Sequence, residues 1–183
     1  KEYRRQRQMC IRDRERNRNG VVAQPFSAFG LSPVHLRPDG RGTVRLKSAD
    51  PLAAPEIRFN FLKTPGDWTA MLEGLRICRE IGRQPALAPF VVEEILPGAS
   101  VADEAGLREH IRANGVSNLH PVGTCRMGRA VADVVDPELK VYGIDGLRVA
   151  DASIMPSIVA GNTNAPSIMI GEKCADMVRR AAA

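Results

Sequence analysis

One histidine lies in a stretch that is rich in residues that break regular structure. The stretch, SNLHPVGTCRMG, runs over residues 117–128 and places His120 directly before Pro121. Proline removes a backbone donor and Gly123 interrupts any helix or strand, so the stretch predicts a loop. Such a loop fixes where the His120 side chain points, either toward a ligand or into hydrogen bonds within the loop.

Two further features could contact the same polar ligand. The segment VVDPELKVYGIDGLRVAD predicts a strand, a turn and a short strand over residues 147–150 that ends at Asp151. Downstream, Asn162 precedes a helix for which Asn164 suits the N-cap and Pro166 the first turn. The unpaired N–H groups of such a helix start favour an anion, or an atom that becomes negative during a reaction. Spacing alone equally permits a turn aspartate and simple helix caps.

The elements that must position these residues come earlier in the chain. Short β-rich runs at Thr43–Leu46 and Glu56–Phe59 lie between Pro, Asp and Gly turn signals and predict a hairpin-rich sheet. Residues 64–84 place apolar side chains at three- and four-residue spacing, which predicts a helix with one buried face. A second, more polar helix is predicted between Asp103 as N-cap and Gly115 as its stop.

Charge divides the chain into two parts. Residues 1–19 carry eight Lys and Arg against three Asp and Glu, which accounts for the whole net charge of +5, whereas the remaining residues carry 18 of each sign. A neutral body argues against a nucleic-acid partner. We expect residues 1–19 to be non-native or disordered. The 44% hydrophobic content of the 183 residues is sufficient for a globular core.

Cysteine usage and apolar runs exclude other classes. The four cysteines are far apart and form no C-x-x-C pair, so no metal site is predicted and a reduced, cytoplasmic location is favoured. Apolar runs are broken by Pro, Gly or charged residues well before the length that a bilayer requires, so no membrane span is predicted.

Four segments together resemble a known family. HLRPDGRGTVRL, HPVGTCRMG, VVDPELKVYGIDGLRVADASIMP and GNTNAPSIMIGEKCADMV resemble, in this order, the C-terminal half of the glucose–methanol–choline (GMC) family of flavin-dependent oxidoreductases. The likeness extends from Leu31 to Val178. It implies a mixed α+β and α/β fold, in which residues 20–118 form a substrate-binding antiparallel sheet with flanking helices. Residues 119–183 would return into a Rossmann-like FAD-binding domain.

The resemblance also implies roles for the residues singled out above. It places His120 over the flavin ring beside the substrate hydroxyl, where imidazole, with an ordinary pKa near neutrality, can accept the hydroxyl proton. Asn162 matches a position that is His or Asn in the family and would hydrogen-bond the substrate oxygen. The helix start would stabilise the negative charge of reduced flavin. The implied cofactor contacts are Leu119, Pro121, Asp151, Ala152, Thr163, Asn164 and Pro166.

The implied reaction is hydride transfer from the CH–OH group of a small alcohol to FAD, with oxygen or a quinone-like compound as the final acceptor. No G-x-G-x-x-G turn for the FAD pyrophosphate is present in the sequence, so we expect a piece of a longer enzyme that is inactive alone. Two alternatives remain: a lyase on the same flavin fold, and a non-catalytic binding piece. His35 and His110 have no motif around them and are not expected to be catalytic.

Overall fold

The computed structural model describes residues 6–11, 14–17, 20–23 and 26–182, with side chains from residue 26 onward. The chain forms two compact units. The first comprises residues 1–40 and 62–118, and the second comprises residues 41–61 and 119–183. Residues 41–61 therefore group with residues 119–183, although the sequence analysis placed them in the segment 20–118, and the predicted domain boundaries stay a prediction.

The first unit contains two antiparallel strand pairs and two helices. Strand β1 (Gln6–Ile11) pairs with β4 (Phe29–Val34), and β2 (Arg14–Asn17) pairs with β3 (Gly20–Ala23). Strands β1 and β2 fall within residues 1–19, which we expected to be non-native or disordered, and that expectation stays a prediction. The rest of residues 1–19 lies outside the described part of the chain.

Helix α1 (Pro65–Gly82) lies within residues 64–84, where the apolar spacing predicts a helix. The Thr64 hydroxyl accepts a hydrogen bond from the Asp67 amide at 3.1 Å, and proline in the first helical position has no amide to leave unsatisfied. Asp67 is almost fully buried, and its carboxylate accepts from the His35 Nε2 atom at 3.2 Å and from the Asp39 amide at 3.1 Å. This buried acid is therefore satisfied by the segment that follows β4.

Helix α2 (Glu104–Asn114) lies between the predicted cap residues. The Asp103 carboxylate accepts from the Gly106 amide at 2.6 Å, and Gly115 ends the helix. The buried faces of the two helices pack together around a cluster that contains Leu72, Leu75, Leu107 and Ile111. This packing places the apolar stripe predicted for residues 64–84 in the core of the first unit.

The second unit contains the hairpin of β5 (Thr43–Arg45) and β6 (Glu56–Arg58), as predicted from the two β-rich runs. The two ends of residues 41–61 lie close together, because the Asn60 side chain donates to the Arg41 carbonyl oxygen at 3.0 Å. A segment that leaves and returns at one place can belong to a different unit from its flanks. The two-stranded pairs and helices make this a small α+β structure, as expected.

The rest of the second unit is a long irregular segment followed by helix α3 (Asn164–Ala182). The predicted turn is present at Gly146, which has a φ of +74°, but the predicted strand over 147–150 is not: only Arg148 forms a β-bridge, to Lys140. Isolated bridges replace a ladder here because the surrounding backbone is mostly turns. The core of this unit consists of Val135, Leu139, Ile154, Met155 and Ile170.

Within the described ranges, no helix is both long and apolar enough to cross a bilayer.

Candidate functional site

The structure brings His120 and Thr163 together. The Thr163 hydroxyl oxygen lies 2.9 Å from His120 Nδ1, and both side chains are half-buried. Elsewhere in the described part of the chain, neither Thr163 Oγ1 nor His120 Nε2 has a hydrogen-bond partner. One ring nitrogen of His120 is therefore fixed, and the other is available to a ligand.

Thr163 is also the residue from which α3 begins. Its carbonyl oxygen accepts from the Ser167 amide at 3.0 Å and from the Ser167 hydroxyl at 2.6 Å, so Thr163 occupies the N-cap that the sequence assigned to Asn164. Pro166 lies in the first turn, as predicted, and has no N–H group. The hydroxyl of an N-cap residue commonly accepts from the amide of the second or third helical residue. Here the Thr163 hydroxyl contacts His120 instead. The contact between Thr163 and His120 was not predicted from the sequence. The only local signal was Pro166, which removes one amide that could compete for the Thr163 hydroxyl.

The backbone of the His120 loop is fastened to the segment around Ile154. The Cys125 amide donates to the Ser153 carbonyl at 3.0 Å, and the Met127 amide donates to the Ile154 carbonyl at 2.8 Å. Because Ile154 is buried in the core of the second unit, these bonds anchor the loop to a fixed part of the structure. The loop predicted from Pro121 and Gly123 is confirmed. Two hydrogen bonds, to the carbonyl oxygens of Ser153 and Ile154, hold its backbone.

A second brace acts through Arg126 and Asp133. The Arg126 guanidinium Nε donates to the Asp133 carboxylate at 2.6 Å, and the Ala130 amide donates to the same carboxylate at 2.7 Å. The Ala130 hydrogen bond and then the Arg126 side chain hold the pKa of Asp133 below its ordinary value. Arg126 therefore braces the segment that follows the His120 loop through its ion pair with Asp133.

Asp151 is exposed, but its carboxylate is used locally. One oxygen accepts from the Ser153 amide at 2.7 Å and caps the short 3-10 helix Ala152–Ile154. Ala152 packs against the core of the second unit. These contacts match the interpretation of Asp151 as a turn residue, and its second oxygen accepts no hydrogen bond within the described residues. A cofactor contact through Asp151 stays a prediction.

The remaining predicted contacts are exposed. Asn162 and Asn164, near the start of α3, and Pro121, in the loop, are all exposed. Leu119 is 69% exposed and has a φ of +61°, a left-handed conformation that is uncommon for leucine. An unusual backbone beside His120 and an apolar side chain left at the surface are compatible with a ligand that covers them.

The other two histidines lie in the first unit and not with His120. His35 bonds to Asp67 as described above. His110 Nδ1 lies 3.0 Å from the side-chain nitrogen Nδ2 of Asn114. Burial, and after it the charge of Arg79, lowers the pKa of His110 below its ordinary value. Both histidines therefore have partners within the first unit, and the expectation that neither is catalytic stays a prediction.

The donors at this site fit one end of a flavin cofactor. α3 is 19 residues long, and its first amides have no preceding turn to bond, so its N-terminal end can stabilise negative charge on a bound ring. Gly123 approaches Met155 so closely that a Cβ would lie 3.2 Å from the Met155 carbonyl oxygen, a contact that the backbone would have to relieve by a small shift. The glycine-rich turn that would bind a pyrophosphate is not in the sequence. The residues present therefore suit the ring end of FAD.

Comparison with known proteins agrees with this fit. A family model described as GMC oxidoreductase matches residues 38–171. An oxygen-dependent choline dehydrogenase of Klebsiella pneumoniae is 47% identical over 163 residues, and one of Escherichia coli is 45% identical. Each alignment covers 89% of this chain and 29% of the relative, so the chain spans less than a third of the length of these proteins.

Solved structures with the same fold are also flavoenzymes or oxidases. The pyridoxine 4-oxidase of Mesorbium loti superimposes with a TM-score of 0.81 at 32% identity over 87% of this chain and 31% of that chain. An FAD-dependent oxidoreductase of Chaetomium thermophilum gives 0.80 at 32% identity over 88% and 28%. The family and these neighbours indicate FAD as the cofactor. The chain belongs to the GMC oxidoreductase family, of which it matches the C-terminal region.

Proposed function

We propose that this chain supplies the proton-accepting group in the active site of an FAD-dependent oxidoreductase that acts on the CH–OH group of a small alcohol. The observation that carries the proposal is the state of His120: Nδ1 is held by Thr163 at 2.9 Å, while Nε2 has no partner among the described residues. A base must be both oriented and accessible, and His120 satisfies both conditions.

The chemistry at His120 follows from the needs of alcohol oxidation. Bound FAD would accept the hydride that leaves the alcohol carbon. As the C=O bond forms, the hydroxyl must lose its proton, and His120 Nε2 takes it through its lone pair. The resulting imidazolium keeps its hydrogen bond to Thr163 and returns the proton to water after the product leaves. His120 therefore ends each cycle in the state in which it began.

Asn162 would position the alcohol. Its amide is exposed and has no partner in the described part of the chain, so both its donor and its acceptor groups are free. An amide does not accept protons near neutral pH, and its contribution is therefore a hydrogen bond to the substrate oxygen. Such a bond places the hydroxyl against the base and reduces the entropy that the reaction must overcome.

The substrate class rests on the relatives. The choline dehydrogenases and the pyridoxine 4-oxidase are named for substrates that carry alcohol groups, and the dehydrogenases are described as oxygen-dependent. We infer a small alcohol as the hydride donor and oxygen or a quinone-like compound as the final acceptor.

The test is His120→Ala in an enzyme that contains this chain and binds FAD. We expect the rate of anaerobic flavin reduction to fall by about a hundredfold or more, while the FAD content is unchanged. His110→Ala is the matched control, because that histidine lies in the other unit, and it should reduce flavin at the normal rate. Undiminished reduction in a folded, FAD-loaded His120→Ala enzyme would exclude His120 as the base.

A further inference from the structure

We propose that Thr163 is a positioning residue that holds His120 in the tautomer with its proton on Nδ1. The hydroxyl oxygen lies 2.9 Å from Nδ1, which is a full hydrogen bond. The tautomer of a neutral histidine is set by the bond that one ring nitrogen makes. With Thr163 as acceptor, the proton stays on Nδ1 and the lone pair is on Nε2. This proposal rests on the proposed function for its purpose, but the tautomer itself can be measured without it.

A hydroxyl can donate or accept, so the direction of the bond needs an argument. If Thr163 donated to Nδ1, the ring proton would be on Nε2, and Nε2 could not take a proton from a ligand. The imidazolium, in contrast, donates from Nδ1 in every case. With Thr163 as acceptor, the same hydrogen bond exists before and after proton transfer, and no hydroxyl rotation is required. This direction is therefore the one that costs no reorganisation during the reaction.

The helix start makes the hydroxyl available for this task. Thr163 occupies the N-cap of α3, and the residue three positions on is Pro166, which has no N–H group to offer. A capping bond to that position is therefore impossible, and among the described residues the hydroxyl contacts only His120 Nδ1. Pro166, which the sequence suggested as a cofactor contact, then has an indirect effect on His120 through Thr163.

The chain contains an internal reference for the measurement. Its three histidines include His110, whose Nδ1 lies 3.0 Å from the Asn114 amide nitrogen. An amide nitrogen can only donate, so His110 should accept at Nδ1 and carry its proton on Nε2. The proposal thus expects opposite tautomers for His110 and His120 in the same molecule.

The experiment is NMR of the chain labelled with ¹⁵N-histidine, without flavin or alcohol, at a pH where the rings are neutral. Long-range ¹H–¹⁵N correlations report the tautomer of each ring, and His120→Gln assigns the signals. We expect Nδ1–H for His120 in the wild type and in Thr163→Ser, and a shift toward Nε2–H in Thr163→Val. Unchanged His110 signals would show that the first unit is intact in each variant.

Two results would overturn the proposal: Nε2–H as the main tautomer of wild-type His120, or the same tautomer in the wild type and Thr163→Val. The wild-type spectrum alone decides the first, so the test survives a variant that does not fold. In an enzyme that contains this chain, Thr163→Val should slow flavin reduction about tenfold and Thr163→Ser should restore it. A correct tautomer with no effect of His120→Ala on flavin reduction would refute the proposed function and leave the positioning role of Thr163 standing.

Discussion

The carbonyl oxygen of Met155 lies 3.2 Å from the position that a Cβ atom would take on Gly123. This is tighter than an ordinary contact between a side chain and the backbone, and Gly123 also has a φ of +89°, which side chains rarely adopt. The His120 loop and the segment that ends in Met155 are therefore packed backbone to backbone. Both the conformation and the close contact therefore favour glycine at this position.

We expect Gly123→Ala to reduce the free energy of unfolding by about 1–3 kcal/mol. Alanine is strained at the positive φ of this position, and its Cβ would make a close contact with the Met155 carbonyl oxygen. Denaturant unfolding measures the loss. The same change should also raise the KM or lower the kcat of an enzyme that contains this chain, since the loop must move to relieve the contact.

Gly143→Ala is the control for this prediction. Gly143 has a φ of +77°, but no atom lies within 4 Å of its would-be Cβ, so its substitution tests the conformational strain alone. An equal loss of stability in the two variants would mean that the contact between Gly123 and Met155 contributes nothing.

Asp133 should make the free energy of unfolding depend on pH in the acid range. Its carboxylate accepts from the Ala130 amide and from Arg126, and these bonds hold its pKa below the ordinary value of 3.8. A lowered folded pKa contributes stability that is fully present above about pH 4 and is lost as the pH falls through the folded pKa. We expect Asp133→Asn to be less stable than the wild type at pH 7. The difference in stability should shrink as the pH falls below 3.8, the ordinary pKa of the carboxyl group.

Unfolding curves measured between pH 7 and pH 3 test this expectation. Glu109→Gln serves as the control, because Glu109 is 74% exposed and lies 3.9 Å from Arg112, an arrangement that contributes little. A constant difference between Asp133→Asn and the wild type across the whole pH range would show that the ionised carboxylate is not the source of the stability.

Local signals in the sequence were enough to predict the helices and the hairpin. Asp103 and Gly115 marked the ends of α2, apolar spacing marked α1, and alternation with turn residues marked β5 and β6, because these features act within a few residues. The strand predicted over 147–150 was wrong. A strand needs a partner along its length, and only one bridge is formed there.

The candidate site was predictable only in part, for a related reason. Resemblance to the family singled out His120 and Thr163 separately, but not their contact, since they are 43 residues apart and the contact depends on how the loop and the start of α3 pack. The grouping of residues 41–61 with the second unit was not predicted from the sequence for the same reason. Their membership of the second unit depends on a long-range return of the chain, which no local pattern encodes.

Asn162 and His120 should respond differently to substitution, because in the proposed mechanism Asn162 positions the alcohol and His120 takes its proton. In an enzyme that contains this chain, Asn162→Ala should slow flavin reduction roughly ten- to a hundredfold, the expected effect of one lost hydrogen bond of about 1–3 kcal/mol. Asn162→His should retain activity, since the family that this chain resembles carries His or Asn there. The measurement is the pH dependence of anaerobic flavin reduction in the wild type, Asn162→Ala and His120→Ala. Asn162→Ala should keep the ionisation that controls the rate, and His120→Ala should lose it. The opposite pattern would mean that the two roles are assigned to the wrong residues.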